Sequence, residues 1–142
     1  MCNSSLQGAA RDTIEVVAAM IHSGGRALLC RRPLDKAQGG KWEFPGGKIE
    51  PGETGAEALA RECREELDVQ LNVGEALADV VQEYPERRVH LTLYAATIAA
   101  GEPHRIEHSD MRWVDAAQIG EYDLCPADAK LLRMIQTKEP SE

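Results

Sequence analysis

The feature of this 142-residue chain that most constrains its fold is an abrupt change of pattern at about residue 55. The segment PGGKIEPGETG (45–55) follows neither strand nor helix periodicity, which predicts a shaped loop. Thr54 and Glu57 then have the spacing of a capping box, which predicts a helix that runs to about Leu67. One side of this helix carries the apolar residues that should face a core: Ala56, Leu59, Ala60, Cys63 and Leu67.

The same helix carries three glutamates, Glu62, Glu65 and Glu66, at positions i, i+3 and i+4, where like charges share a face and repel one another. A solvated acidic face is the ordinary explanation of such a run. Two observations favour another explanation: the preceding loop contains Glu53, and the cation Arg61 stands beside Glu62. They indicate that the carboxylates bind a hard, oxygen-seeking ion. Mg²⁺ or Mn²⁺ bound in this way usually bridges to phosphate, which indicates metal-assisted phosphoryl chemistry.

A formal net charge of −8 limits the partners of the chain. It argues against a long nucleic acid or an anionic membrane as the main partner, although a bound divalent metal would still let a small anion bind. Four scattered cysteines without a C-x-x-C pair are typical of buried thiols in a reducing compartment, and the sequence has no signal peptide or membrane-length apolar run. We therefore expect a cytoplasmic protein.

The rest of the chain predicts a domain with several strands and a second helix. Strand patterns occur in residues 12–22, 26–32, 41–44, 75–84, 88–100 and 111–114. The second helix begins at Pro126, because proline is well tolerated in a first helical turn. Mixed strands with two helices predict an α+β or α/β layered domain, of which we take α+β as the predicted fold class. We expect one domain over residues 12–137, between a flexible leader (1–11) and a C-terminal tail (138–142).

The charged positions of the acidic segment resemble the Nudix box of hydrolases that act on nucleoside diphosphate derivatives. The matching pattern is Gly47, five residues, Glu53, seven residues, and then RECREELDV (61–69). This pattern is long and gapped, so a chance match at every charged position is rare. Two positions depart from it: Cys63 replaces a larger aliphatic core residue, and Asp68 replaces the glycine just past the helix. Aspartate tolerates the left-handed backbone of a helix C-cap, although less well than glycine.

The resemblance covers residues 13 to about 135 and is to the MutT-type branch, which cleaves nucleoside triphosphates. It implies a mixed sheet sandwiched between helices. It also implies a Mg²⁺-dependent pyrophosphohydrolase, with Mn²⁺ as the alternative ion, that releases a nucleoside monophosphate and pyrophosphate. By this similarity the metal ligands would be Glu62, Glu65, Glu66, Glu107 and the carbonyl of Gly46. Glu53 and Arg61 would brace the catalytic helix and loop, and Glu107 could instead be a plain solvated acid.

Three further residues match positions that contact the nucleotide in MutT-type enzymes. Arg32 and Arg87 would bind it through their guanidinium groups, unless they are only charges at a strand edge and a turn. Asp128 stands where the family has a base-reading asparagine, and its alternative role is an acid that suits a first helical turn. An ionised Asp128 offers acceptors only and suits the N1–H and amino group of oxidised guanine, which favours 8-oxo-dGTP. The four histidines lack ligand spacing and are predicted to be structural or solvated.

We expect a monomer or homodimer, and the resemblance further implies that it cleanses the nucleotide pool of oxidised nucleotides. Two substrate classes stay open beside 8-oxo-dGTP: CTP with 5-methyl-dCTP, and another nucleoside diphosphate derivative such as a nucleotide sugar. A non-catalytic binding module and an acidic protein-interaction helix are alternatives of a different kind. Three mutually repelling acids weigh against the binding module, and the shaped loop before the helix weighs against the interaction helix.

Overall fold

The computed structural model describes residues 12–138, so the predicted leader and the tail beyond Lys138 lie outside the described residues. The strands are β1 (Thr13–Ser23), β2 (Arg26–Arg31), β3 (Trp42–Glu43), β4 (Gly46–Lys48), β5 (Gln70–Glu83), β6 (Arg88–Ala100) and β7 (Asp110–Asp115). The helices are α1 (Gly55–Leu67), a 3₁₀ helix (Ala116–Glu121) and α2 (Pro126–Lys138). Within residues 12–138, no helix is both long and apolar enough to cross a membrane.

All seven strands belong to one mixed sheet in which β1 is central. The main strand order is β3-β2-β1-β6-β5, and β4 and β7 pair with β1 and β2. Strand β1 runs parallel to β6 over residues 13–21, whereas its pairings with β2 and β4 are antiparallel. The end of β1 forms a hairpin with β2 through Gly24 and Gly25, which both have positive φ.

The two faces of β1 contribute to two different hydrophobic clusters, because successive side chains point to opposite sides of a strand. One face packs with α1 through Val17, Ala19, Ile21, Leu59, Cys63 and Leu67. The other packs with α2 through Val16, Ala18, Met20, Ala127, Leu131 and Leu132. Burial on both faces explains why β1 reads as an almost unbroken apolar run. The predicted α+β fold, a mixed sheet between helices, is confirmed.

Helix α1 begins with the predicted capping box. The Thr54 hydroxyl accepts from the Glu57 amide at 3.1 Å, and the Glu57 carboxylate accepts from the Thr54 amide at 2.9 Å. The buried residues of this helix are Ala58, Leu59, Cys63 and Leu67. Ala56, predicted to face the core, is exposed. Helical periodicity predicts the direction in which a side chain points. It does not predict whether another part of the protein covers that side chain, and at the first turn of α1 Ala56 is left uncovered.

Three other features depart from the sequence prediction. Residues 46–48, predicted as loop, form β4 and pair with residues 16–18 of β1. A Cβ atom on Gly46 would collide with the carbonyl oxygen of Val17, so glycine is what permits this pairing. Strand β5 begins at Gln70 rather than at residue 75, and its early part contains register shifts between Val73 and Ala78 that obscure alternation. The 3₁₀ helix was not predicted.

The cysteines that the structure describes are buried, as the sequence predicts. Cys30, Cys63 and Cys125 are free thiols in the core, and Cys2 lies outside the described residues. Burial is the main cause that raises the pKa of Cys63 and of Cys125 to about 12. These thiols are therefore protonated at neutral pH and act as small apolar residues.

Asp68 provides a first prediction, because its backbone is left-handed (φ 61°, ψ 41°) while its amide donates to the Arg64 carbonyl at 3.0 Å. We expect Asp68→Gly to be as stable as the wild type or more stable, by up to about 1 kcal/mol, since glycine adopts this conformation without strain. We expect Asp68→Ala to lose about 1 kcal/mol. Thermal denaturation of both variants checks the order, and an alanine variant as stable as the glycine variant would contradict it.

Candidate active site

A cavity of about 730 Å³ opens beside the middle of β1, on the face of the sheet that packs against α2. It is bounded by β1, residues 32–38, the turn at 84–87 and the first turn of α2. The sequence-predicted site residues that line it are Arg32, Gly46, Glu66, Arg87, Glu107 and Asp128. The remaining ones lie outside the cavity wall: Glu53, Arg61, Glu62 and Glu65. The structure thus places the candidate nucleotide-binding residues and some of the candidate metal ligands around one cavity.

Arg61 connects the acidic residues outside the cavity wall. Its Nε and Nη2 atoms donate to the two oxygens of Glu53 at 2.6 and 3.0 Å. Its Nη1 atom donates to Glu62 at 3.1 Å and to Glu65 at 3.3 Å, and Nη2 also donates to the Lys48 carbonyl at 3.0 Å. The hydrogen bonds with Glu53 raise the pKa of Arg61 and lower that of Glu53. One guanidinium therefore ties the loop that contains Glu53 to helix α1 and to the end of β4.

Glu62 lies directly against the backbone of Gly47. Its carboxylate occupies the space of the missing side chain, because a Cβ atom at residue 47 would stand 2.5 Å from either carboxylate oxygen. The Glu62 side chain is 17% exposed. Glycine at this position thus lets the middle of β4 approach the acidic face of α1.

Glu66 is the acid at the inner side of this cluster. Burial is the largest of the causes that raise its pKa, followed by the negative charges of Glu62, Glu43 and Glu107. Its Oε1 atom is buried and has no hydrogen-bond partner within the described chain. A buried carboxylate oxygen without a donor is costly, and several nearby acids increase the cost. Such an oxygen is satisfied by a bound cation or by protonation of the acid.

This donor set fits a divalent metal in its chemistry, although its side chains are not spaced to enclose one. No group of three Asp, Glu, His or Cys side chains within residues 12–138 is arranged to hold a metal ion as it stands. Glu65 points to Arg61, and its side chain is 57% exposed. The fit rests on the chemistry of the donors: carboxylates at Glu62 and Glu66, a third acid at Glu107, and an unsatisfied oxygen among them.

Two residues of the cavity wall were missed as site residues, Glu43 and His108. Glu43 binds Arg32 through Oε1 at 3.1 Å and the His108 ring through Oε2 at 3.0 Å. The available signal for Glu43 was its place between the buried aromatics Trp42 and Phe44, since alternation along an extended segment turns it to the opposite side. His108 fits the prediction of a structural histidine, and no sequence spacing connects it with Glu43.

The nucleotide candidates occupy different environments. Asp128 is 5% exposed, and its Oδ2 atom accepts from the Phe44 amide at 3.0 Å. Burial and then the charge of Glu43 raise the pKa of Asp128 to about 8, so the protonated acid predominates at neutral pH. Arg32 is fixed by the Ala37 carbonyl at 2.6 Å as well as by Glu43, whereas Arg87 is exposed in the turn before β6.

Comparison with known proteins gives one consistent result. A family model described as "NUDIX domain" matches residues 16–134. The CTP pyrophosphohydrolase of Escherichia coli (strain K12) is 42% identical over 119 residues, which cover 84% of this chain and 88% of that protein. The 8-oxo-dGTP diphosphatase of the same strain is 30% identical over 120 residues, covering 84% and 93%. The crystal structure of the MutT protein from Methanosarcina mazei Go1 superposes with a TM-score of 0.80 at 27% identity, covering 90% of this chain and 96% of the other.

Proposed function

The chain belongs to the Nudix family and is a MutT-type hydrolase of phosphoric anhydride bonds, and from this premise we propose that it cleaves nucleoside triphosphates to a nucleoside monophosphate and pyrophosphate. The observation that carries the proposal is the unpartnered oxygen of Glu66 in the wall of a cavity that Arg32, Arg87 and Asp128 also line. The cavity volume of about 730 Å³ is within the usual range for small-molecule sites.

Hydrolases of this family generally need a divalent metal, and we propose Mg²⁺ here, with Mn²⁺ as the alternative. The residues that would hold it are Glu62, Glu65, Glu66, Glu107 and the carbonyl of Gly46. Bound there, the ion would supply neutralisation of phosphate charge and a lower pKa for water. To bind the ion, Glu65 would have to give up the hydrogen bond that it accepts from Arg61. Glu53 would keep its two hydrogen bonds to the Arg61 guanidinium. Arg61 and Glu53 would thus hold helix and loop together.

The reaction needs a proton acceptor from the chain itself. A water oxygen bonds to phosphorus, the anhydride P–O bond breaks, the water proton passes to a carboxylate, and pyrophosphate leaves. Glu107 lines the cavity, and Glu62 lies against Gly47 at its border, so either carboxylate could accept this proton. Arg32 and Arg87 would bind the phosphates through their guanidinium groups.

Glu107→Gln separates the two candidate bases. If Glu107 accepts the proton or acts as an outer metal ligand, we expect kcat to fall about tenfold or more while KM changes little, because the lost interaction is made mainly in the transition state. Glu102→Gln is the matched control, since Glu102 is an exposed acid of the same loop. Steady-state kinetics at saturating Mg²⁺ measure both constants. Values of kcat and KM within about twofold of the wild type would show that Glu107 is only a solvated acid, and would favour Glu62 as the proton acceptor.

The nucleobase of the substrate belongs to one of two classes, oxidised guanine or cytosine. The preference for 8-oxo-dGTP that the sequence predicts supposes an ionised Asp128, which rejects the N3 acceptor of cytosine. A protonated Asp128 supplies a donor as well as an acceptor and so fits the N3 and amino group of cytosine. We propose 8-oxo-dGTP and the cytidine triphosphates as the two candidates, and the relatives at 30% and 42% identity are named for one substrate of each class.

A substrate panel tests the proposed function. CTP, 5-methyl-dCTP, dGTP, 8-oxo-dGTP and a nucleotide sugar are each incubated with the protein and Mg²⁺, Mn²⁺ or EDTA, and the nucleotide and phosphate products are separated by chromatography. We expect a nucleoside monophosphate and pyrophosphate, formed only with a divalent ion. Inorganic phosphate as the first product, or activity toward the nucleotide sugar alone, would overturn the proposal.

We propose a cytoplasmic enzyme acting on the free nucleotide pool, which agrees with free buried thiols at Cys30, Cys63 and Cys125. We propose the domain of residues 12–137 as the catalytic unit, working as a monomer or homodimer on small nucleotides rather than on long nucleic acid or membranes. Size-exclusion chromatography with light scattering decides the oligomeric state.

A further inference from the structure

The loop between β6 and β7 contains a buried histidine next to a candidate catalytic acid. Among residues 101–109, which the structure describes completely, His108 is the buried residue, at 7% exposure. Glu107, the preceding residue, is exposed and lines the cavity. The loop therefore contributes two neighbouring side chains to the cavity wall, a buried histidine and an exposed glutamate.

The His108 ring is held by a specific polar contact. Its Nε2 atom lies 3.0 Å from Oε2 of Glu43, whose other oxygen accepts from Arg32 at 3.1 Å. From these partners we infer that Glu43 accepts and that the Nε2–H of His108 donates. Since β3 carries Glu43 and pairs with β2, this contact attaches the loop to the rigid sheet.

The loop is attached to the protein on either side of Glu107, and the Ser109 hydroxyl donates to the Arg31 and Arg32 carbonyls at 3.3 and 3.4 Å. The nearest backbone hydrogen bonds on either side run from His104 to the Leu67 carbonyl at 2.8 Å and from Ser109 to the Arg31 carbonyl at 2.9 Å. Within the described chain, Glu107 itself makes no hydrogen bond or ion pair, and Arg105 donates only to the His108 carbonyl at 3.1 Å. Between His104 and Ser109, the side-chain bond that joins the loop to the rest of the described chain is the one between His108 and Glu43.

We propose that His108 is a positioning residue: its bond to Glu43 anchors the loop and holds the Glu107 carboxylate toward Glu66 at the acidic end of the cavity. The proposal rests on the proposed function, because it takes Glu107 as a participant in the reaction. An acid that drifts by about 1 Å from its working position loses much of its effect on rate. Glu66 already senses the charge of Glu107, which agrees with their proximity.

Kinetics of four variants test the proposal in the full-length protein with Mg²⁺ and with CTP and 8-oxo-dGTP as substrates. We expect His108→Leu to lower kcat about tenfold with KM within about threefold, since the lost positioning affects the transition state more than binding. His108→Gln places an amide N–H where Nε2–H stood and should recover most of the loss. His108→Asn, which is too short to reach Glu43, should not, and it replaces the leucine variant if that one fails to fold. His104→Leu is the control, at an exposed histidine of the same loop.

A double-mutant cycle shows whether His108 acts through Glu107. In the Glu107→Gln background, His108→Leu should cost less than about twofold, because the residue that it positions is already lost. An equal cost in both backgrounds would overturn the proposal. An inactive wild type across the whole panel would instead refute the proposed function, so the two failures are distinguishable.

Amide hydrogen exchange of the metal-free protein gives a readout that needs no turnover. We expect peptides covering residues 101–109 to exchange faster in His108→Leu than in the wild type, and His108→Gln and His104→Leu to leave the exchange rate unchanged. Equal exchange in His108→Leu and the wild type would overturn the anchoring role.

Discussion

Glu66→Gln is expected to lower kcat at least about 100-fold while the fold stays intact and the metal-free protein becomes more stable. The activity falls because a neutral amide binds a divalent ion less well than a carboxylate. The stability rises because the Glu66 carboxylate is buried beside Glu62, and its unpartnered oxygen has no compensating donor. A residue that is required for function and harmful to stability indicates a site built for a ligand.

The stability gain should depend on pH in a defined direction. Burial and neighbouring acids place the folded-state pKa of Glu66 above the ordinary value of 4.5. The folded wild type therefore loses stability as pH rises from about 4.5 through the raised pKa, because ionisation costs more in the folded chain than in the unfolded one. The variant avoids this loss, so its advantage should be roughly 1–3 kcal/mol at about pH 8 and disappear toward pH 4.5.

Three measurements check the Glu66→Gln prediction: kcat at saturating Mg²⁺, melting temperature against pH without metal, and the increase in melting temperature on adding Mg²⁺. The wild type should gain more from Mg²⁺ than the variant, since binding to the folded state alone stabilises it. Glu75→Gln, at an exposed glutamate of β5, is the control for charge removal. Wild-type turnover in the Glu66 variant would remove this residue from the site.

The fold was most predictable where local and global preferences agree. The capping box at Thr54 and the apolar spacing of Leu59, Cys63 and Leu67 define α1 within the sequence itself, because each signal depends on neighbours three or four residues apart. The left-handed backbone at Asp68 likewise follows from its place just after the helix. Such features need no knowledge of the partner strand.

Other features depend on contacts between distant segments and carry no local signal. The three residues of β4 become a strand only because Gly46 and Gly47 let the chain approach β1 and Glu62 closely. The bond between Glu43 and His108 joins residues 65 positions apart. The protonation of Asp128 results from its burial, since an isolated first-turn aspartate would be ionised. The sequence therefore identifies the candidate residues, but not the protonation state that burial in the fold imposes on them.

Asp128 should make the stability and the base preference of the enzyme depend on pH. Its folded-state pKa of about 8 exceeds the ordinary 3.8, so the folded protein loses stability as pH rises from about 4 through 8. Asp128→Asn keeps an acceptor for the Phe44 amide and cannot ionise. We expect the variant to exceed the wild type in stability by roughly 3 kcal/mol at about pH 9 and by much less at about pH 5. Asp123→Asn, at an exposed aspartate, is the control.

The ratio of kcat/KM for CTP to that for 8-oxo-dGTP is expected to fall by about tenfold or more between about pH 6.5 and pH 9 in the wild type. The protonated Asp128 can donate to the N3 atom of cytosine. The ionised form leaves that acceptor unpaired, at a cost of about 1–3 kcal/mol, but accepts from both the N1–H and the amino group of oxidised guanine. Asp128→Asn retains a donor at every pH, so its ratio should stay constant over the same range, which separates titration of the residue from titration of the nucleotides. Asp128→Ala should discriminate less at both ends of the range. An equal pH dependence in the wild type and in Asp128→Asn, or unchanged selectivity in Asp128→Ala, would show that this residue does not read the base.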